Sequence, residues 1–176
     1  MLVLKGMKYL PTAFAQLQFA WKLYNYALEG SLKLEELDKA ITFEEEGMML
    51  VLPDRIFESK DDLILACANM LGVAFGAAAI TLNRSREELG VPFPKNIESE
   101  IDQFVVLAYQ IRNAFAHDIA EPRWEIRNPA FRRPYEFGPV SVDLSEMNGK
   151  AFSYHDIGGP DVLFRMKDYA EKLVWP

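Results

Sequence analysis

Cysteine and histidine are scarce in this chain: 176 residues contain one cysteine, Cys67, and two histidines, His117 and His155. A single cysteine forms no internal disulfide. One thiolate and two imidazoles also cannot fill a cysteine-built zinc site, so no metal and no cofactor is expected. Cys67 lies in an apolar run, where a buried, inert thiol is the expected state. A reducing, cytoplasmic setting fits. Surplus positive charge is missing too. The net charge is −7, which disfavours nonspecific nucleic-acid binding over the whole surface and leaves room only for local basic patches. The sequence has no phosphate loop, dinucleotide-binding glycine fingerprint, nucleophile elbow or metalloprotease helix. It shows no internal repeat and no low-complexity segment. The opening "MLVLKGMKYLP" does not read as a secretory leader, because its lysines lie inside the apolar part and Pro11 cuts it short.

The length suits one domain spanning residues 1–176, able to bury about 70% of the surface its unfolded chain exposes. Residues 11–29 predict a helix: Pro11 suits a first turn, Phe14, Leu17, Trp21, Tyr24 and Leu28 recur at helical spacing, and Gly30 stops it. A short helical piece follows in "LKLEELDKA". The runs "ITF" and "MMLVL" around "EEEG" predict a hairpin over 41–52, closed by Pro53. Ser59 and Asp62 predict a capping box opening a second helix. Its body, residues 63–82, is apolar all round and long enough to span a bilayer. The abundance of alanine and glycine, with no basic cluster at its start, favours the central helix of a bundle, with no membrane partner. Asn69 within it then needs a buried hydrogen-bond partner. Residues 83–96 read as a loop. A third helix is expected from about 97 to 119, ended by Pro122. Irregular or strand-like chain with four arginines comes next, then two short strands within 139–157 turned at Asn148-Gly149, and a last helix over about 160–174.

The third helix carries "QIRNAFAHD", residues 110–118. At 100° per residue, Ile101, Phe104, Leu107, Ala108, Ile111, Phe115 and Ile119 form one broad core face. Arg112 lies at its edge, and Asn113 and His117, four residues apart, stack on the opposite side. Tyr109, Ala116, Val105 and Val106 share that outer arc. An arc so mixed suits a second interface, with another segment or with a second copy of the chain.

"RNAFAH" resembles the R-x4-6-H signature of the HEPN superfamily, over roughly residues 60–120. Residues 44–82 and 109–124 also resemble a family of bacterial proteins to which no activity is assigned. The HEPN resemblance implies a mainly α fold, a HEPN-like helical bundle, here with one or two small β-hairpins that are not standard for it. Many superfamily members are metal-independent ribonucleases, often toxins of toxin–antitoxin or defence systems, and act as homodimers whose motifs meet in a cleft. The resemblance places Arg112 and His117 at the two signature positions and Asn113 at the polar position between them. It implies RNA as substrate, an antitoxin as candidate partner and a homodimer. Other members are non-catalytic interaction or nucleotide-binding modules, the alternative for this chain.

RNA carries its own nucleophile, the 2′-OH. Cleavage needs a base for that proton, an acid for the leaving 5′ oxygen and positive charge for the phosphorane. His117 suits either proton transfer, Arg112 the phosphate, and Asn113 a supporting hydrogen bond. One histidine cannot serve both ends, so two copies would supply the pair. Arg123 and Arg127, with Arg132 and Arg133, could form a basic rim, and Tyr109 and Trp124 could stack on a base. Structural alternatives stand beside each role. His117 would stabilise a helix C-terminus, Arg112 would pair with Asp118 or Glu121, and Asn113 would bond locally. The arginines would be solvated, and Trp124 would pack in the core. The repeated dipeptide His117-Asp118 and His155-Asp156 lacks the third histidine of a metal phosphohydrolase, and "EEE" at 44–46 reads as a charged turn.

Overall fold

The computed structural model describes residues 9–52 and 54–175. The stretch before Tyr9 and the hairpin-closing proline at 53 lie outside them. The chain is mainly helical with two small antiparallel strand pairs. Its contacts divide it into two compact units, residues 17–71 and residues 1–16 with 72–176.

Within residues 17–71, the end of helix α1 (Leu10–Glu29) and the start of helix α3 (Lys60–Glu88) share a small core. Ala27, Leu63 and Cys67 are buried there, with Leu23, Leu34 and Phe57 packed on them. Burial pushes the Cys67 thiol pKa up, as an inert thiol requires. Helix α1 ends at Gly30, whose φ of 74° is the left-handed stop read from the sequence. Leu28, assigned to its apolar stripe, is exposed. The short helix α2 (Leu34–Leu37) follows. The capping box that opens α3 is present: the Asp62 N–H donates to Ser59 Oγ at 3.2 Å, and the Ser59 N–H donates to Asp62 Oδ2 at 3.0 Å. Strands β1 (Ile41–Glu45) and β2 (Met48–Leu52) pair with Glu45 opposite Met48. Glu46 and Gly47 between them both have positive φ, the two-residue turn that matches strand twist.

The second helix is longer than the apolar run implied. It continues through residues 83–88, which read as loop, because Asn83, Ser85 and Arg86 are buried rather than solvated. Phe75, Ala78, Ala79 and Leu82 continue its buried stripe. Asn69 is exposed, so the buried partner expected for it is not needed. By length and composition α3 could cross a bilayer. Its most apolar window has mean hydropathy 2.1, and 39% of that window is buried within the protein.

Helix α4 (Glu100–Ala116) starts later and ends sooner than the periodicity suggested. Ser99 and Asp102 close a capping box at its start. Partial desolvation opposes the Asp102 carboxylate, yet hydrogen bonds from Ser99 and the Glu98 N–H together hold its pKa below the usual range. The helix is buried nearly all round. Val105 and Val106, expected on an outer arc, are in the core. Beside its first turns lies a hairpin of strands β3 (Pro134–Phe137) and β4 (Val140–Asp143). Glu136 N–H donates to Gln103 Oε1 at 2.7 Å, and Phe104 packs edge-on against Phe137.

That hairpin corrects the strand assignment. Residues 140–143 pair upstream with 134–137; the expected turn at Asn148-Gly149 does form, the Lys150 N–H donating to the Met147 carbonyl at 3.0 Å, but strand β4 does not fold back across it. The asparagine is engaged elsewhere, its Oδ1 accepting the Ile126 N–H at 2.8 Å. The last helix, α5 (Val162–Tyr169), passes into a π-helical turn over Ala170–Val174.

Candidate functional site

The last turns of α4 and an extended strap after it, residues 122–128, build the site. Asp118 turns the chain out of the helix, its Oδ1 accepting the N–H groups of Ala120 at 2.9 Å and Glu121 at 3.0 Å. Those donors hold its carboxyl pKa below the usual range. The strap is then stitched to residues 148–152: Trp124 N–H donates to the Lys150 carbonyl, Gly149 N–H to the Trp124 carbonyl, and Phe152 N–H to the Pro122 carbonyl. The Arg132 guanidinium adds two hydrogen bonds to the Ile126 carbonyl. Extended chain alternates its side chains. Trp124 and Ile126 are therefore fully buried while Glu125 and Arg127 face out.

Between helix and strap lies a cleft of about 210 Å³, lined by Tyr109, Gln110, Arg112, Asn113, His117, Glu125, Arg127, Asn128 and Phe131. A hollow of about 110 Å³ lies beside it, lined by Ala114, His117, Asp118, Glu121, Arg123 and Glu125. His117 and Glu125 border both.

Arg112 and Asn113 are half-buried, and Arg112 Nη1 donates to Asn113 Oδ1 at 2.9 Å. Among the described residues Arg112 has no carboxylate partner: its proposed pairing with Asp118 or Glu121 does not form. His117 stands at the C-terminal cap of α4. Its side chain is 60% exposed, and Nε2 lies 3.5 Å from Glu125 Oε2. The same carboxylate oxygen accepts from Arg127 Nη2 at 3.1 Å. The cleft thus sets two guanidiniums and an imidazole against one carboxylate, a local cationic site in an acidic protein.

Five of the residues singled out from the sequence meet here: Tyr109, Arg112, Asn113, His117 and Arg127. Arg123 lines the smaller hollow. Trp124 does not face a ligand. It is fully buried, its Nε1–H donates to Asp156 Oδ2 at 2.8 Å, and its ring packs on Phe152, so it offers no free face for a base. Arg132 is engaged by the Ile126 carbonyl, and neither it nor Arg133 lines the cleft.

Four lining residues escaped the sequence reading: Gln110, Glu125, Asn128 and Phe131. Gln110 had a signal, because 110, 113 and 117 follow one helical stripe. It is 2% exposed, and its Oε1 has no hydrogen-bond partner among the described residues. Glu125 had one too, in the in–out alternation of "RWEIR". Asn128 caps a 3-10 turn through the Ala130 N–H, and Phe131 enters through an aromatic chain, Tyr109 on Phe93 at 5.0 Å and Phe93 on Phe131 at 5.7 Å. Nothing local in the sequence marks those two. Among the described residues no three His, Cys, Asp or Glu side chains gather as a metal site.

No protein-family model matches the chain, and no curated protein or solved structure matches it.

Proposed function

We propose that the protein is a HEPN-like, metal-independent endoribonuclease of the cytoplasm, with Arg112 and His117 as catalytic residues and Asn113 in support. One observation carries the reading: the three motif side chains line one solvent-reachable cleft. A histidine sealed in the core would have ended it. Arg112, which has no carboxylate partner among the described residues, is available for the phosphorane oxygens. His117, 60% exposed on the cleft, supplies an imidazole for proton transfer. Arg127 adds a second cation, and Tyr109 and Phe131 offer aromatic surface for a base. As the resemblance implies, the chain works as a homodimer, and an antitoxin is the natural partner class.

Purified protein incubated with RNA in chelator tests this. Products ending in a 2′,3′-cyclic phosphate, abolished by His117→Ala in a protein of unchanged fold, are the expected result. Cleavage that survives the substitution, or none from the wild type, refutes it. A second reading, a non-catalytic nucleotide-binding module, draws on the net charge of −7, which suits a mononucleotide in a small cleft better than a long polyanion. It predicts nucleotide binding without turnover.

A further inference from the structure

We propose that Glu125 is a catalytic residue, the general base that takes the 2′-OH proton, so that one chain holds both proton-transfer groups of the reaction. The proposal rests on the ribonuclease reading above. Transfer to a neighbouring phosphate moves two protons, and a single imidazole serves only one end. Besides His117, the titratable side chains of the cleft that could accept a proton are Tyr109 and Glu125. Tyr109 is packed edge-on against Phe93. Glu125 presents a carboxylate directly to the imidazole, Oε2 to Nε2 at 3.5 Å.

The groups facing Glu125 suit the role. On the cleft side are Arg112, Arg127 and His117, and on the side of the hollow are Arg123, Asp118 and Glu121. The closest are Arg127, whose Nη2 donates to Oε2 at 3.1 Å, and His117 at 3.5 Å, and they hold the carboxylate in place in the cleft. The strap aims it: with Trp124 and Ile126 buried on one side, alternation leaves Glu125 no other direction.

The reactive state is the carboxylate beside the imidazolium. A phosphodiester entering between Glu125 and His117, its oxygens on Arg112, separates the two groups. Glu125 takes the proton of the 2′-OH. The 2′ oxygen forms a bond to phosphorus, the bond from phosphorus to the 5′ oxygen breaks, and His117 gives its proton to that leaving oxygen. The products are a 2′,3′-cyclic phosphate and a 5′-hydroxyl, with Glu125 protonated and His117 neutral. Once the products leave, the 3.5 Å contact returns the proton and restores the starting pair. A second copy of the chain is then not needed to complete the proton inventory.

The test compares wild type, H117A, E125Q and E125D for cleavage in chelator across pH, with thermal melts to confirm folding. E125Q should lower kcat by about 100-fold or more with little change in KM, the usual contribution of a positioned acid or base. It should also remove the acid-side limb of the pH–rate profile and keep the alkaline limb. E125D should retain part of the rate, and it carries the test if E125Q fails to fold. A wild type that cleaves, an inactive H117A and an E125Q as fast as wild type or faster would overturn this assignment alone. That result would make the carboxylate a counter-ion that substrate displaces and return the second proton to the imidazole of a second copy. A wild type that does not cleave, or an H117A that does, removes the ribonuclease reading and this assignment with it.

Discussion

His117-Asp118 and His155-Asp156 place the same dipeptide at two helix boundaries. In both, the aspartate serves the backbone. Asp118 accepts two N–H groups that follow α4. Asp156 Oδ2 accepts the Ser153 N–H at 2.8 Å, capping the 3-10 turn Tyr154–Ile157, and takes the Trp124 indole N–H as well. The histidines differ in company. His117 has Asn113 four residues behind it on the same helix, Arg112 beside that, and Glu125 across the cleft. His155 is exposed and borders neither of the two hollows. A titratable ring becomes a candidate acid or base through what faces it, and the dipeptide itself carries no such information.

The comparison breaks most sharply at the rings. His117→Ala should cost at least about 100-fold in cleavage rate, while His155→Ala leaves the rate unchanged, read side by side on one RNA in chelator. Equal losses would erase the distinction. The aspartates should behave in reverse. Asp156→Ala strands the indole N–H of a fully buried tryptophan and removes a cap, which should lower stability by about 2–3 kcal/mol in urea unfolding. A third substitution probes how the His117 end of α4 is held. A methyl at Gly76 would meet Phe115 Cδ1 at 2.9 Å and Ile119 Cδ1 at 3.2 Å. Gly76→Ala should therefore cost about 1–3 kcal/mol by overpacking and weaken cleavage through a shifted His117, whereas Gly72→Ala, with open space around it, should not. The smallest effect is expected at Asp118. Its pKa is lowered in the folded chain, so its contribution is complete above the unfolded-state value and fades as pH falls through the folded one. Thermal melts of Asp118→Asn should fall slightly below wild type at neutral pH and converge with it in strong acid.

Helical features were legible in the sequence because their signals are local. The Ser59–Asp62 box, the stop at Gly30 and the stripe joining Asn113 to His117 each depend on residues within one or two turns. The hairpin turn at Glu46-Gly47 was readable for the same reason. Long-range choices were not. Asn148-Gly149 has the chemistry of a hairpin turn, but Asn148 binds the backbone of Ile126, 22 residues earlier, and the strand at 140 finds its partner across Gly138-Pro139. Val105 and Val106 lay off the main apolar face of α4, and only the folded chain, in which both are buried, shows why they are apolar. The motif half of the site was therefore visible; of the strap, Arg123 and Arg127 were singled out but Glu125 between them was not, because its place depends on which side of an extended segment is buried.

That strap has a consequence for how the chain tolerates change in length. Connecting segments ordinarily accept insertions and deletions, and residues 122–128 have the look of such a connection. Their side chains nonetheless obey a two-residue alternation. Gaining or losing one residue between Pro122 and Glu125 would carry Glu125 and Arg127 toward the core and turn Trp124 and Ile126 out to water. A change of two residues would restore the parity. Libraries varying this segment by length should therefore sort into odd and even classes, and the even class alone should yield folded protein.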